Sequence, residues 1–166
     1  MYFIFDSDLH QQSPQDHDNF IHLNMSIPIT VSTTVNASLD TAWSFWTSPE
    51  HITNWNFASQ DWHCPKAEND LRTGGTFSST MAAKDGSMSF DFGGVYDEVI
   101  DLQKISYILG DGRQVTVLFE FSDGQTTITE TFDPENQNPT EMQRSGWQAI
   151  LDNFKLYVEQ HTSASS

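Results

Sequence analysis

Glu130 is the residue whose type and position could most directly do chemistry. It alternates with Ile128 and Phe132, so the three side chains share one face of a predicted strand. If that face points inward, apolar surroundings raise the pKa of the carboxyl group and make it a candidate general acid or base. The alternatives are that the opposite face of the strand points inward, or that Glu130 pairs with Arg144 or Arg113.

The other reactive side chains lack the spacing that a metal site or a nucleophile requires. Asp61, His63 and Cys64 lie in one segment, with His51 upstream. Adjacent His63 and Cys64 cannot easily both reach one tetrahedral ion, and no CxxC or HxxxH spacing supports them. The sequence also contains no Gly-x-Ser-x-Gly elbow and no phosphate-binding glycine loop. We therefore predict neither a metal site nor a cofactor.

Apolar side chains on the predicted inward faces favour one hydrophobic pocket. Within it, the hydroxyl group of Tyr107 would orient a ligand, which makes Tyr107 the second catalytic candidate beside Glu130. The predicted ligand-binding residues are Trp55, Phe77, Met81, Met88, Phe90, Phe92, Tyr107, Phe119, Phe121, Trp147 and Leu151. Such a set suits a flat aromatic or lipid-like molecule. The alternative is a solid, fully packed core without a cavity.

Alternation of apolar and polar residues predicts the strands that would position these side chains. Residues 27–35 form a first strand, after which Ser38 and Pro49 begin two short helices. From residue 77 to residue 132, alternating segments are joined by three Asp-Gly turns. Such turns between alternating segments indicate an antiparallel meander.

Two stretches of the chain are harder to interpret. Residues 56–70 show no hydrophobic periodicity and are predicted to be a loop. Phe57 and Trp62 make this loop unusually apolar, which suggests that it folds back over another part of the protein. Gly93-Gly94 suggests a β-bulge, so the face of the sheet on which Tyr96 lies is left open.

The last long segment, residues 139–160, is predicted to be an amphipathic helix. Its apolar residues recur at steps of three and four and form one stripe: Trp147, Ile150, Leu151, Phe154 and Val158. Gly146 interrupts the helix, at a cost of about 1 kcal/mol relative to Ala. It either packs closely against the sheet or leaves room for a ligand. A lone amphipathic helix beside a meander is expected to lie across the one available sheet.

Composition narrows the classes of partner. The 166 residues carry a formal net charge of −16, and the few Lys and Arg residues are scattered. Nucleic acids and anionic membranes both attract clustered basic residues, so neither is an expected partner. A single cysteine fits a reducing compartment, and no apolar run is long enough to span a membrane. We expect a cytoplasmic protein, and a homodimer is left open.

The chain length fits one domain. Residues 1–24 are polar and rich in turn-forming residues, and we predict a flexible N-terminal extension there. A single domain is expected over residues 25–161, followed by a flexible tail over residues 162–166.

Several motifs, in their order along the chain, resemble one known superfamily. They are Ser38-Leu39-Asp40-Thr41-Ala42-Trp43, Ser48-Pro49-Glu50-His51-Ile52-Thr53-Asn54-Trp55, Leu71-Arg72-Thr73-Gly74-Gly75-Thr76-Phe77, Asp85-Gly86 and Gly146-Trp147. The set is similar to the SRPBCC superfamily, also called START-like or Bet v 1-like. Within it, the set looks most like the group related to the C-terminal domain of the activator of Hsp90 ATPase.

The resemblance implies an α+β helix-grip fold. In that fold a curved antiparallel sheet of about six or seven strands wraps a long C-terminal helix, with two short helices after the first strand. It also implies an apolar cavity between sheet and helix. We expect a protein that binds a small hydrophobic ligand. The alternatives are a co-chaperone-like partner of Hsp90 and a cyclase or aromatase in which Glu130 and Tyr107 move protons.

Overall fold

The computed structural model describes residues 26–162, and the sheet in it has seven strands. The elements are β1 (Ile29–Val35), α1 (Leu39–Thr47), α2 (Pro49–Ile52), β2 (Trp62–Asn69), β3 (Thr76–Ala83), β4 (Ser89–Ile100), β5 (Lys104–Leu109), β6 (Gln114–Ser122), β7 (Gln125–Phe132) and α3 (Thr140–Thr162). All neighbouring strands are antiparallel, and their order in the sheet is β1-β7-β6-β5-β4-β3-β2. This is the predicted helix-grip arrangement.

The three Asp-Gly turns close their hairpins as the sequence predicts. Gly86, Gly112 and Gly124 have φ angles of 79°, 90° and 78°. Such positive angles are accessible to glycine without a steric cost, which is why each turn places Gly after Asp. The predicted starts of the two short helices are also observed. Ser38 accepts a hydrogen bond from the backbone N–H of Thr41 at 3.2 Å, and α2 begins with Pro49.

Helix α3 lies across the inner face of the sheet and also covers its β1 edge. The Arg144 guanidinium donates a hydrogen bond to the carbonyl oxygen of Thr30 at 3.0 Å, and the Gln148 side chain donates one to that of Ser32 at 3.0 Å. These contacts occupy backbone acceptors on an edge strand that would otherwise be free to pair with another chain. The same contacts fix the position of α3 over the sheet.

The prediction of a loop over residues 56–70 was wrong in its second half, where β2 forms the opposite edge of the sheet. Its pairing with β3 shifts between His63 and Lys66, and Pro65 lies within this irregular stretch. A bulge and a proline both interrupt the alternation of buried and exposed residues, and edge strands tolerate both. The strand therefore carries no period that could be recognised from sequence.

Gly93 and Gly94 do not form a bulge. Both pair in continuous register with β3, and the irregularity lies between Tyr96 and Glu98 in the pairing with β5. The glycines instead allow close approach of neighbouring backbones. A Cβ atom at Gly93 would lie 2.5 Å from the carbonyl oxygen of Phe77. Because the register is continuous up to Tyr96, that side chain lies on the inner face of the sheet.

The inner face is packed most densely where β1, β6 and β7 meet α3. Fully or almost fully buried side chains there are Val35, Val115, Val117, Ile128, Phe132, Leu151, Phe154 and Val158. We call this set the closed core. None of the described helices has the length and apolar character that crossing a bilayer requires.

The predicted N-terminal extension, residues 1–24, and nearly all of the predicted C-terminal tail lie outside the described residues. Thr162 is the last residue of α3, so the helix runs two residues beyond the predicted end at Gln160 and starts one residue after Pro139. Differences of this size are usual at helix ends.

Candidate functional site

A cavity of about 140 Å³ lies between α3 and the part of the inner face formed by β2 to β5. It is partly open to solvent, and its wall is mainly apolar. Ten aromatic residues contribute to it: Trp46, Trp55, Phe57, Trp62, Phe77, Phe90, Phe92, Tyr96, Tyr107 and Trp147. An apolar cavity of roughly 150 Å³ holds a molecule the size of benzene, so this space fits a single ring.

Seven of the eleven predicted ligand-binding residues lie in the cavity wall. They are Trp55, Phe77, Met81, Phe90, Phe92, Tyr107 and Trp147. The inward faces of β3, β4 and β5 place most of them. Trp147 lies over this group from α3, stacked on Phe132 at a ring-centroid distance of 4.0 Å. That these side chains contact a ligand stays a prediction.

The other four predicted residues lie elsewhere. Met88 directly precedes β4, its carbonyl oxygen accepts from the Ala83 N–H, and it is not in the cavity wall. Phe119 is buried on β6 and contacts Trp43 at a ring-centroid distance of 4.9 Å. Phe121, near the end of β6, is 53% exposed. Leu151 is fully buried on α3, four residues after the wall residue Trp147, and is not in the wall itself. Strand-face periodicity alone could not separate these positions from the cavity wall.

Sequence reasoning missed several wall residues. Trp46 lies on α1, which was predicted only as a short helix, and Ile150 is on α3 near Trp147. Phe57 and Trp62 come from the segment after α2, whose unusual apolar content was the available signal. Tyr96 was missed because the supposed bulge left its orientation open.

Glu130 lies on the inner face of β7 and in the cavity wall, with only 4% of its surface exposed. Its neighbours in register are Val31 on β1 and Val117 on β6. Among residues 26–162, no hydrogen bond or ion pair involves its carboxyl group. Burial without a compensating partner raises the pKa of Glu130 from its ordinary value of 4.5 to about 8. The carboxyl group is therefore mostly protonated at neutral pH.

The two arginines that were alternative partners of Glu130 are engaged elsewhere. Arg144, on α3, pairs with Glu141 at 3.4 Å, and its guanidinium also donates a hydrogen bond to the carbonyl oxygen of Thr30 at the edge of the sheet. Arg113 pairs with Asp111 at 2.7 Å in the turn before β6. Neither arginine is in the cavity wall.

Two tyrosines provide the other polar groups deep in the cavity. Burial and, after it, the charge of Glu130 raise the pKa of Tyr107 well above its usual range. Burial also raises the pKa of Tyr96, whose hydroxyl group donates a hydrogen bond to Asn69 Oδ1 at 2.5 Å. Asn69 in turn donates to the carbonyl oxygen of Thr47 at 2.7 Å. Both tyrosines are therefore neutral hydrogen-bond donors, while Glu130 can exchange a proton near neutral pH.

Cys64 and the nearby histidine do not form a reactive pair. Cys64 is buried on β2, and burial raises the pKa of its thiol, which keeps it in the unreactive protonated form. The buried Nδ1 atom of His63 has no hydrogen-bond partner in the described part of the chain. No group of three or more His, Cys, Asp and Glu side chains among residues 26–162 is arranged to hold a metal ion.

Comparisons with known proteins agree with this architecture. The family model described as Activator of Hsp90 ATPase homolog 1-like protein matches residues 36–159. A solution structure of an AHSA1-like protein from Aeromonas hydrophila is 41% identical, with a TM-score of 0.78, and the match covers 82% of this chain and 94% of that one. A search among curated proteins gave no match.

Two further solved structures are similar. A solution structure from Cytophaga hutchinsonii is 54% identical with a TM-score of 0.70, and the match covers 83% of this chain and 96% of that one. A crystal structure from Nitrosomonas europaea, 15% identical, has a TM-score of 0.71 over 85% of this chain and 99% of that one. At that identity the likeness concerns the fold alone.

Proposed function

We propose that this chain, which belongs to the Activator of Hsp90 ATPase homolog 1-like family within the START-like superfamily, is a binding protein. Its ligand is small and mainly apolar. The observation that carries the proposal is the cavity of about 140 Å³ between the sheet and α3. Native interiors are close-packed and leave few voids larger than a water molecule. A solvent-open, mainly apolar cavity with a few polar groups is the usual form of a small-molecule site.

The shape of the wall favours a ligand with one aromatic ring or a short alkyl chain. Phe77 contacts Tyr107 edge-on at a ring-centroid distance of 4.6 Å, and Phe92 contacts Trp147 at 6.0 Å. Rings that meet edge to face leave flat surfaces against which another ring can pack. Trp62 and Phe90, also in the cavity wall, are partly exposed, and their ring centroids are 5.9 Å apart.

Filling the cavity from within tests the proposal. Ser79 is buried in the cavity wall, and Ser78 next to it on β3 faces the other side of the sheet. We expect Ser79→Leu to abolish the thermal shift caused by single-ring aromatic compounds, because the new side chain occupies their space. Ser78→Leu is the matched control and should retain that shift.

Mass spectrometry of the purified wild-type protein under native conditions should also show a bound apolar molecule that organic extraction releases. The proposal fails if the wild-type protein shows neither an adduct nor a thermal shift with any member of a hydrophobic library.

A second candidate function, docking to an Hsp90-type chaperone, is suggested by the family's description. The observation that favours it is an apolar pair on the outer face of the sheet. Val95 and Ile108 lie opposite each other on β4 and β5 and are 47% and 42% exposed. Calorimetric titration with purified Hsp90 tests this candidate. If the face is the docking site, Val95→Asp should remove the binding heat while leaving aromatic ligands bound.

A further inference from the structure

The cavity wall contains two carboxyl groups and no Lys or Arg side chain. Glu130 lies deep in the wall, and Glu68 is 65% exposed and paired with Lys66 at 2.9 Å. None of the seven Lys and Arg residues of the chain, all of which lie in the described part, contributes to the wall. Among the described residues, the cavity wall therefore contains one buried acid and no basic side chain.

Six of the seven Lys and Arg side chains of the chain pair with carboxylates other than Glu130. Six ion pairs account for six of the seven: Lys66–Glu68, Arg72–Asp70, Lys104–Glu98, Arg113–Asp111, Arg144–Glu141 and Lys155–Glu159. None of these pairs involves Glu130, and Lys84, the seventh basic residue, is not in the cavity wall. Within residues 26–162, a positive group that meets Glu130 would therefore have to arrive with a ligand. A buried acid without a partner is costly to stability, so its presence in a cavity points to a ligand group.

The rest of the wall suits the same kind of ligand group. The face of an aromatic ring carries partial negative charge and attracts cations, most strongly in tryptophan. Trp55, Trp147 and Tyr107 are all in the wall. An organic cation also gives up less hydration than a small inorganic ion when it leaves water. The formal net charge of −16 raises the local concentration of cations around the protein.

We infer that the cavity selects a ligand in which an apolar body carries an organic cation, such as an aryl ammonium, with the positive group at Glu130 and the body against the aromatic wall. This inference rests on the proposed function, since it specifies the class of the small apolar ligand. It assigns to Glu130 the role of the specificity-determining group.

Proton release accompanies the binding of such a cation. Glu130 must lose its proton to pair with the ligand, and its pKa of about 8 in the free protein places this step near neutral pH. The other titratable groups of the wall are Tyr107, Tyr96 and Glu68. Burial keeps both tyrosines neutral. The affinity for a permanent cation should therefore rise about tenfold per pH unit below pH 8 and level off above it.

Two probes of equal size separate charge from shape. Phenyltrimethylammonium is a permanent cation, and tert-butylbenzene is its neutral counterpart, so neither probe titrates. Calorimetric titration of the wild-type protein at several values between about pH 6 and pH 9 gives both affinities. The inference predicts tighter binding of the cation with rising pH and no such increase for tert-butylbenzene.

Glu130→Gln identifies the group responsible. The variant should lose roughly thirtyfold in affinity for the cation at high pH, lose the pH dependence and still bind tert-butylbenzene. Glu120, exposed on β6, gives the matched control, because Glu120→Gln removes one negative charge outside the cavity and should change neither affinity.

Three results would overturn the inference. Binding of tert-butylbenzene without binding of the cation would refute it and leave the proposed function standing, as would a cation affinity independent of pH or unchanged in Glu130→Gln. If neither these probes nor any other small apolar molecule binds, the proposed function fails as well. The pH dependence of the wild-type protein provides a test even without the variant.

Discussion

The two halves of the inner sheet face have opposite packing. Where β1, β6 and β7 meet α3, the closed core consists mostly of aliphatic side chains that exclude solvent. Where β2 to β5 lie under α3, the wall is mostly aromatic, many of its side chains are partly exposed, and a cavity remains. Both halves are built from the same alternating strand pattern, so the pattern alone does not decide between solid and hollow.

The difference shows how one small domain can hold an unfilled space. Branched aliphatic side chains such as Val115, Val117 and Ile128 interlock and bury nearly all their surface. Large rings bridge longer gaps, and their edge-to-face contacts leave space between them. We therefore expect the closed core to contribute more to stability than the hollow half. Glu130, on β7, lies where the two halves meet.

The largest expected effect on the free energy of unfolding concerns Glu130. The pKa of Glu130 is higher in the folded protein, about 8, than its ordinary value of 4.5. The folded state therefore binds more protons, so wild-type stability falls as pH rises from about 4.5 to about 8. Glu130→Gln removes this loss and should be more stable than the wild type above pH 8, by on the order of 5 kcal/mol. Urea unfolding of both proteins across this pH range measures it.

If the free energy of unfolding depended on pH in the same way in the wild type and in Glu130→Gln, Glu130 would not be buried as described. Glu120→Gln serves here too as the control for net charge. Because Glu120 is exposed on the outer face of the sheet, its curve should follow that of the wild type.

The next effect tests the closed core. Phe154 is fully buried on α3 and packs on Trp46 and Trp55 at ring-centroid distances of 5.0 Å and 4.9 Å. Phe154→Ala should lower the free energy of unfolding by about 4 kcal/mol, because a dense core cannot close the space that is left. Leu156→Ala, at an exposed site on the same helix, should cost less than about 0.5 kcal/mol. A small loss at Phe154 would mean that this half is not densely packed.

The smallest effect on stability is expected in the hollow half. Phe92 is partly buried in the cavity wall and contacts Phe77 and Trp147 at 6.3 Å and 6.0 Å. Its removal deletes fewer contacts, since one side already faces empty space, so Phe92→Ala should cost about 1 kcal/mol. The same change should alter which single-ring compounds give a thermal shift. A loss as large as that of Phe154→Ala would erase the distinction between the two halves.

Local patterns in the sequence determined most of the elements. Alternation and three Asp-Gly turns predicted six of the seven strands, and the helical period predicted α3 to within two residues. These features depend on neighbouring residues and on which face of an element is apolar. The edge strand β2 was not predicted, because a bulge and a proline remove the alternation of buried and exposed residues along it.

Only the tertiary structure decided which inward side chains enclose a space. Periodicity places Phe77 and Phe119 alike on buried faces, yet Phe77 lines the cavity and Phe119 packs on Trp43. Their difference depends on the distance between the sheet and the elements packed on it. The same holds for Glu130, whose position on a strand face was visible from sequence. Its burial without a partner depends on where all seven basic side chains lie in three dimensions.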